Sequence, residues 1–240
     1  MIRLPLLDPA SPGRFPDPHH ALAEPNGLLA FGGDLSPRRL LAAYERGIFP
    51  WFNPGEPILW WSPDPRCVFD TATLKANRSL RRALAGSAWR VSVDEAFVRV
   101  MHACAAPRPG QQGTWIGAAI IDAYASLHTQ GHAHSVEVWE GDALVGGVYG
   151  VVVGRLFCGE SMFSARSGGS RLALVALAAW LREWGFPLLD AQVSNPHLLS
   201  LGAREVPRED FLAQVRRLSA QPFDPAHWRK VASRDAGDYL

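Results

Sequence analysis

Three groups of side chains have the types and spacing to do chemistry. The first is Glu160, in Gly159-Glu160-Ser161-Met162-Phe163-Ser164, directly after a short apolar segment at 156–158. A carboxylate flanked by Gly, Ser and Met is unusual in a core, so it is either functional or a cap on the helix that follows. The second is Asp190-Ala191-Gln192, at the carboxyl end of an otherwise apolar strand. Strict alternation puts Asp190 and Gln192 on one face. Two polar side chains there are either hydrogen-bonded for structure or functional. The third is His132 and His134, two apart at a strand start. They could ligate a metal, but no Asp, Glu or His at a familiar spacing completes a site, and structural hydrogen bonding is the better reading. No G-x-S-x-G elbow supports a serine triad. No glycine-rich phosphate loop supports a nucleotide fold.

A fourth feature is electrostatic. Residues 72–93 hold Lys75, Arg78, Arg81, Arg82 and Arg90 and no acid. Lys75, Arg78 and Arg82 recur at three- and four-residue steps, so one helical face can carry them, with Arg81 on the adjoining side. A solvated helix face is the plain alternative. The missing carboxylates weigh against it, because ordinary surface helices mix signs. Two proline-rich segments, at 48–52 and 58–66, hold three tryptophans and read as loops. Such loops are either satellite core or the walls of a binding site.

These residues need elements to position them. Residues 1–35 read as an irregular arm with short strands. Ser36-Pro37 starts a helix that Gly47 ends. Helices are expected at 94–105 and 117–130, separated by the loop Pro107-Arg108-Pro109-Gly110. Strands follow at 134–139, 144–153 and 156–158, a long helix at 169–184 and a strand at 187–193. A short helix at 196–201 and a last one at 207–218 lead into a polar, loosely held tail from Ser219. The order is that of an α+β fold.

Composition sets the outer limits. The 240 residues are 48% hydrophobic and 20% charged, a globular balance. The net charge of +1 excludes a uniformly basic protein but not a local basic patch. Lys75 and Lys230 are the only lysines, so 22 of the 24 basic residues are arginine. Cys67, Cys104 and Cys158 are odd in number and far apart, which argues against disulfides or a cysteine zinc site. Prolines interrupt the N-terminal segment too early for a signal peptide. The longest apolar run, 172–181, is too short to span a bilayer. A cytoplasmic protein is expected.

Ten blocks, in order over about residues 24–215, give the sequence a clear likeness. Among them are Phe31-Gly32-Gly33-Asp34-Leu35, Tyr44-Glu45-Arg46-Gly47-Ile48-Phe49-Pro50-Trp51, Trp60-Trp61-Ser62-Pro63-Asp64-Pro65-Arg66 and Gly113-Thr114-Trp115-Ile116. Gly131-His132-Ala133-His134-Ser135-Val136-Glu137, Gly146-Gly147-Val148-Tyr149-Gly150 and Asp190-Ala191-Gln192 continue the match. The chain closely resembles the leucyl/phenylalanyl-tRNA–protein transferase family.

The resemblance implies a small N-terminal α/β domain, 1–65, and a larger GNAT-like (acyl-CoA N-acyltransferase-like) catalytic domain, 66–240. It implies transfer of Leu or Phe, less readily Met, from charged tRNA to proteins beginning with Arg or Lys, which creates an N-degron for proteolysis. No metal and no cofactor are implied. By the same resemblance Glu160, Asp190 and Gln192 form the reaction centre. Trp51, Tyr44 and Trp115 shape the site for the aminoacyl-adenosine, where aromatic faces suit a stacked base. Met162 and Leu189 line the pocket for the Leu or Phe side chain. Lys75, Arg78, Arg81 and Arg82 are assigned to tRNA phosphates. In this scheme Gln192 holds the amine lone pair on the ester carbonyl, Asp190 orients Gln192 and stabilises the developing ammonium, and Glu160 either takes part or pairs with the acceptor's cationic residue.

The match has departures. Gly117-Ala118-Ala119 stand where the family is polar, and Gly168-Gly169-Ser170-Arg171 where Ala-Ser-Lys is common. Arg166-x-x-Gly169-x-Arg171 faintly echoes a CoA pyrophosphate loop, but Arg171 closes the cradle and disfavours CoA. A CoA-dependent N-acetyltransferase and a non-catalytic RNA- or degron-binding module are the rival readings. With no apolar stripe on view, a monomer is expected.

Overall fold

The structure is a computed structural model that describes residues 4–107 and 114–240. Apart from Pro107, the expected loop at 107–110 lies outside the described residues, as does Gly113. The elements run β1 (Leu6–Leu7), β2 (Leu28–Gly32), α1 (Pro37–Tyr44), β3 (Phe49–Pro50), β4 (Leu59–Trp61), β5 (Arg66–Asp70), α2 (Arg78–Leu84), β6 (Trp89–Val93), α3 (Phe97–Ala105) and α4 (Ala118–Thr129). They continue with β7 (Ala133–Glu140), β8 (Ala143–Val153), β9 (Leu156–Ser164), α5 (Gly169–Glu183), β10 (Leu188–Gln192), α6 (Pro196–Ser200), β11 (Arg204–Val206), α7 (Arg208–Ser219), α8 (Ala226–Arg229) and β12 (Arg234–Asp235). The chain is mixed α+β and carries two sheets. The smaller has the order β1-β2-β4-β3 and the larger β11-β5-β10-β9-β8-β7-β6-β12.

In the larger sheet, β9 and β10 are the one parallel pair among the described residues, and it is brief: Leu189 lies opposite Phe157, and Asp190 opposite Cys158. The other pairings are antiparallel. Both faces are buried, which the alternating residues show. Tyr149, Val151, Leu156 and Cys158 belong to a core shared with α1, α3, α4 and α7. Val148, Val152 and Phe157 belong to a second core, under α2, α5 and the C-terminal tail. A sheet covered on both faces reads as a nearly continuous apolar run in its central strands. Glycines let α5 sit directly on β8. A Cβ at Gly146 would lie 2.4 Å from the Gly169 carbonyl carbon.

Several expectations are corrected. The segment 58–66 is not all loop; it contains β4 and the first residue of β5. Strand β9 runs on to Ser164, so Glu160 is a strand residue and caps no helix. The serine hydroxyl of Ser164 accepts the Ser170 N–H of α5 instead, at 2.8 Å. The basic run is broken: α2 starts at Arg78 behind an Asn77 cap, Lys75 precedes it, and residues from Trp89 form β6. Strand β10 stops one residue earlier than alternation suggests. The tail is not loose. Trp228 is 1% exposed and stacks on His134 with ring centroids 4.2 Å apart, while Arg234–Asp235 adds an edge strand beside β6. No helix among the described residues is long and apolar enough to cross a membrane.

Candidate active site

Two β-bulges on adjacent strands build the site. Along β8 and β9, Tyr149 lies opposite Ser161 and Gly150 opposite Gly159, which leaves Glu160 without a partner residue. Along β10 and β5, Asp190 lies opposite Val68 and Gln192 opposite Cys67, which leaves Ala191 over. A bulge re-aims side chains that alternation would send elsewhere. Gln192 adopts φ 63°, a left-handed conformation uncommon for a residue with a side chain. The two irregularities bring Glu160 and Gln192 together, and the Gln192 Nε2 donates to Glu160 Oε1 at 2.8 Å.

Glu160 collects two further donors. The Tyr44 hydroxyl, at the end of α1, donates to Oε1 at 2.6 Å, and the Tyr124 hydroxyl, on α4, donates to Oε2 at 3.2 Å. The two tyrosine hydroxyls also touch each other, so with one proton apiece the pair supplies two of these three bonds at a time. Burial pushes the Glu160 carboxyl up to about 7, and the three donors pull against that rise. Burial likewise raises Tyr44 and Tyr124 well above the usual phenol range, and the Glu160 charge adds to it. Both remain protonated donors. With its NH₂ end committed to Glu160, the Gln192 amide has its Oε1 as the acceptor end.

Asp190 does not face this centre as expected. It is fully buried and paired with Arg66 in a fork: Nε to Oδ1 at 2.8 Å and the terminal nitrogen to Oδ2 at 2.7 Å. Its Oδ1 also accepts the Gln192 backbone N–H at 2.9 Å. Asp190 therefore holds the Gln192 backbone, and its charge is answered by Arg66 rather than left for an incoming ammonium.

Glu160 and Met162 line one cleft of about 880 Å³, with Leu144, Phe163, Ser164, Ser170 and Leu198 among its other walls. The remaining expected residues fall in different places. Leu189 is 3% exposed, packs in the second core beneath Gly159, and does not line the cleft. Tyr44 is fully buried, so only its hydroxyl enters the site and its ring offers no stacking face. Trp51 is 42% exposed and leans on Trp61 at 5.5 Å. Trp115 is half-buried against the first core, and Pro54, from the loop after Trp51, packs near Gly117. Lys75, Arg78, Arg81 and Arg82 are exposed, and none of them lines the cleft. Leu80 and Leu84 of α2 approach Gly168, just before the α5 turn whose Ser170 lines the cleft.

The sequence profile described as leucyl/phenylalanyl-tRNA protein transferase matches residues 68–216, and that of the same protein's N-terminal domain matches 33–64. A leucyl/phenylalanyl-tRNA–protein transferase of Xanthomonas euvesicatoria pv. vesicatoria is 58% identical over 224 residues, 93% of this chain and 90% of that one. One from Xylella fastidiosa strain M12 is 57% identical over 225 residues, 93% of this chain and 92% of that one. The chain belongs to the leucyl/phenylalanyl-tRNA protein transferase family. The solved structure of L-PGS from Bacillus licheniformis aligns only loosely, at TM-score 0.38 and 11% identity over 70% of this chain and 54% of that one.

For this member of the family, sequence reading missed Tyr124 and Arg66 as parts of the site. Tyr124 lies on the apolar face of α4 and looks like core. The carboxylate that answers Arg66 is 124 residues away, so no local spacing announces it. His134 is hydrogen-bonded for structure, as expected. Asp94, His128 and His134 place one oxygen or nitrogen each within 4.8 Å of one another, a group that could hold a cation. Each ring nitrogen involved already has a protein acceptor: His134 Nδ1 is 2.7 Å from Asp94 Oδ2, and His128 Nδ1 is 2.8 Å from the Ala133 carbonyl. His134 Nε2 faces the Gly131 carbonyl at 3.1 Å. The group thus ties α4 to β7 through hydrogen bonds.

Proposed function

We propose that this chain moves Leu or Phe, and less readily Met, from charged tRNA to the N-terminal Arg or Lys of an acceptor protein, marking the acceptor for proteolysis. The observation that carries the reading is the Glu160–Tyr44–Tyr124–Gln192 cluster beside a half-apolar cleft, in a chain of this family. An aminoacyl ester is already activated, so the enzyme must orient two substrates and place polar groups where charge develops. The Gln192 Oε1 accepts an N–H of the acceptor α-amine and turns its lone pair toward the ester carbonyl. The new C–N bond forms as the ester C–O bond breaks, and the proton lost by nitrogen ends on the ribose oxygen. Glu160, ionised, neutralises the positive charge that the acceptor brings. Asp190 acts through Gln192.

Met162, Phe163 and Leu198 form the apolar wall for the transferred side chain; Leu189 backs that wall. Trp51 and Trp115 receive the terminal adenosine, since Tyr44 has no free ring face. Lys75, Arg78, Arg81 and Arg82 contact tRNA phosphates. The division into a small domain, 1–65, and a GNAT-like domain, 66–240, is supported by the change of sheet between Trp61 and Arg66. The enzyme works as a cytoplasmic monomer without CoA. The test is transfer of radiolabelled Leu from tRNA to an Arg-initiated peptide, with Asp- and Ala-initiated peptides as controls. Product with the Arg peptide alone is expected. Equal product with all three removes the acceptor assignment, and binding of charged tRNA without product makes the chain a binding module. A thermal shift with acetyl-CoA would instead favour an acetyltransferase.

A further inference from the structure

We infer that Arg66 is a positioning residue for the transfer reaction: one buried guanidinium sets both sides of the hydrogen-bond cage around Glu160. The inference rests on the reading of Glu160 and Gln192 as the reaction centre. Three arms of Arg66 are committed. Two grip Asp190, whose Oδ1 also takes the Gln192 backbone N–H and so fixes the left-handed residue that donates to Glu160. The third donates to the Gly47 carbonyl at 3.1 Å. Gly47 closes the turn after α1, three residues beyond Tyr44, which is the second donor to Glu160.

The two faces of the guanidinium are covered as well. The Phe49 ring centroid is 4.8 Å from its central carbon and the Phe211 centroid 4.5 Å. Arg66 is 1% exposed, with a ring near its guanidinium on two sides and all three of its nitrogens bonded. It thus joins α1 and β3 on one side to β10 on the other, and both sides converge on the same carboxylate. Only a planar, forked cation can serve Asp190 bidentately and Gly47 at once; lysine keeps the charge but has a single donor atom.

That difference supplies the test. Arg66→Ala would leave Asp190 buried without its partner and can unfold the chain, so Arg66→Lys is the working variant. It keeps the positive charge beside Asp190 while loosening Gln192 and Tyr44. Turnover with Leu-tRNA and an Arg-initiated peptide should fall about 100-fold, the scale of a misplaced reactive group, with KM for the tRNA within about twofold. The acid limb of the turnover profile should also move to higher pH, because weaker donors stabilise ionised Glu160 less. The groups facing that carboxylate are Tyr44 from α1, Tyr124 from α4, Tyr149 from β8, and Gln192 and Asp190 from β10, with Cys158 beneath. None of these changes identity in the variant. A purely structural role lowers the melting temperature but moves neither the limb nor the turnover of molecules that remain folded. Native turnover and an unmoved limb in folded Arg66→Lys would overturn the inference. Gln192→Ala run alongside separates the two readings. If it too keeps native turnover, the site assignment fails first; if it is inactive while Arg66→Lys is not, only the role of Arg66 falls.

Discussion

Glu160 is a compromise between burial, which opposes its charge, and three donors, which favour it. Burial is the larger effect and leaves the carboxyl near 7. Two consequences follow for one substitution. Below about pH 7 the carboxyl is protonated and cannot neutralise a cationic acceptor, so transfer to an Arg-initiated peptide should decline with a midpoint near 7. The acceptor α-amine titrates at about 7.7–8.0 and adds its own limb above that. In Glu160→Gln the lower limb should vanish, and turnover should drop more for Arg- and Lys-peptides than for an uncharged acceptor; an equal loss with every acceptor refutes the pairing role. The sign for stability is opposite. A carboxyl raised in the folded state contributes stability below its unfolded value of about 4.5 and loses it as pH climbs through about 7. Glu160→Gln should therefore gain melting temperature relative to the native chain at pH 8 but not at pH 4. A variant whose advantage does not depend on pH would show that Glu160 is not held against its ionisation.

Elements explain what could be read in advance. Helices α1, α4, α5 and α7 and strands β7, β8 and β10 were legible because capping residues and apolar periodicity are local signals. Ser36 caps α1 by accepting the Arg39 N–H, as its position suggests. Bulges are not local. Whether Glu160 is paired or extra depends on the register of Tyr149 and Gly150 on the neighbouring strand, so alternation correctly found polar residues but misjudged where they point. Strand β6 hid inside a basic run for the same reason. Gly150 is the residue beside the Glu160 bulge that permits it: a Cβ there would lie 2.2 Å from the Cys158 carbonyl and 2.5 Å from the Phe157 ring. Gly150→Ala should cost about 1–3 kcal/mol by urea unfolding, in line with overpacked cores, and should lower turnover through the displaced bulge. The tail reads as loose because its polar residues outnumber its buried anchors, Trp228, Ala236 and Tyr239. Trp228→Ala should cost about 3–5 kcal/mol and free the tail to proteolysis. A protected tail and unchanged stability would mean that β12 and the buried Tyr239 hold it without Trp228.

At the scale of the molecule, a net charge of +1 conceals a division. Acidic Glu160 lines the cleft, and Arg78, Arg81 and Arg82 stand exposed on α2, whose Leu80 and Leu84 pack near Gly168. Among the described residues those three arginines have no carboxylate partner, whereas Arg66 and Arg39 are paired. Arg81 spends its Nε on the Ala76 carbonyl at 3.1 Å, which stiffens the side chain without neutralising it. Unpaired cations on a short helix cost little in isolation and are useful if a polyanion arrives. Each phosphate they neutralise releases counterions, so the logarithm of tRNA affinity should fall linearly with the logarithm of salt. Arg78 and Arg82 share one face of α2, and replacing both by Ala should reduce that slope by about 2, roughly one per lost phosphate contact, with similar losses for tRNAs of different sequence. Folding should be untouched, since Leu80 and Leu84 on the opposite face carry the packing. Turnover at saturating tRNA should also survive, because neither arginine reaches Glu160. The measurement is binding of uncharged tRNA from about 50 to 200 mM salt. A slope equal to the native one returns the pair to a solvated helix face and moves the tRNA contact elsewhere on the surface.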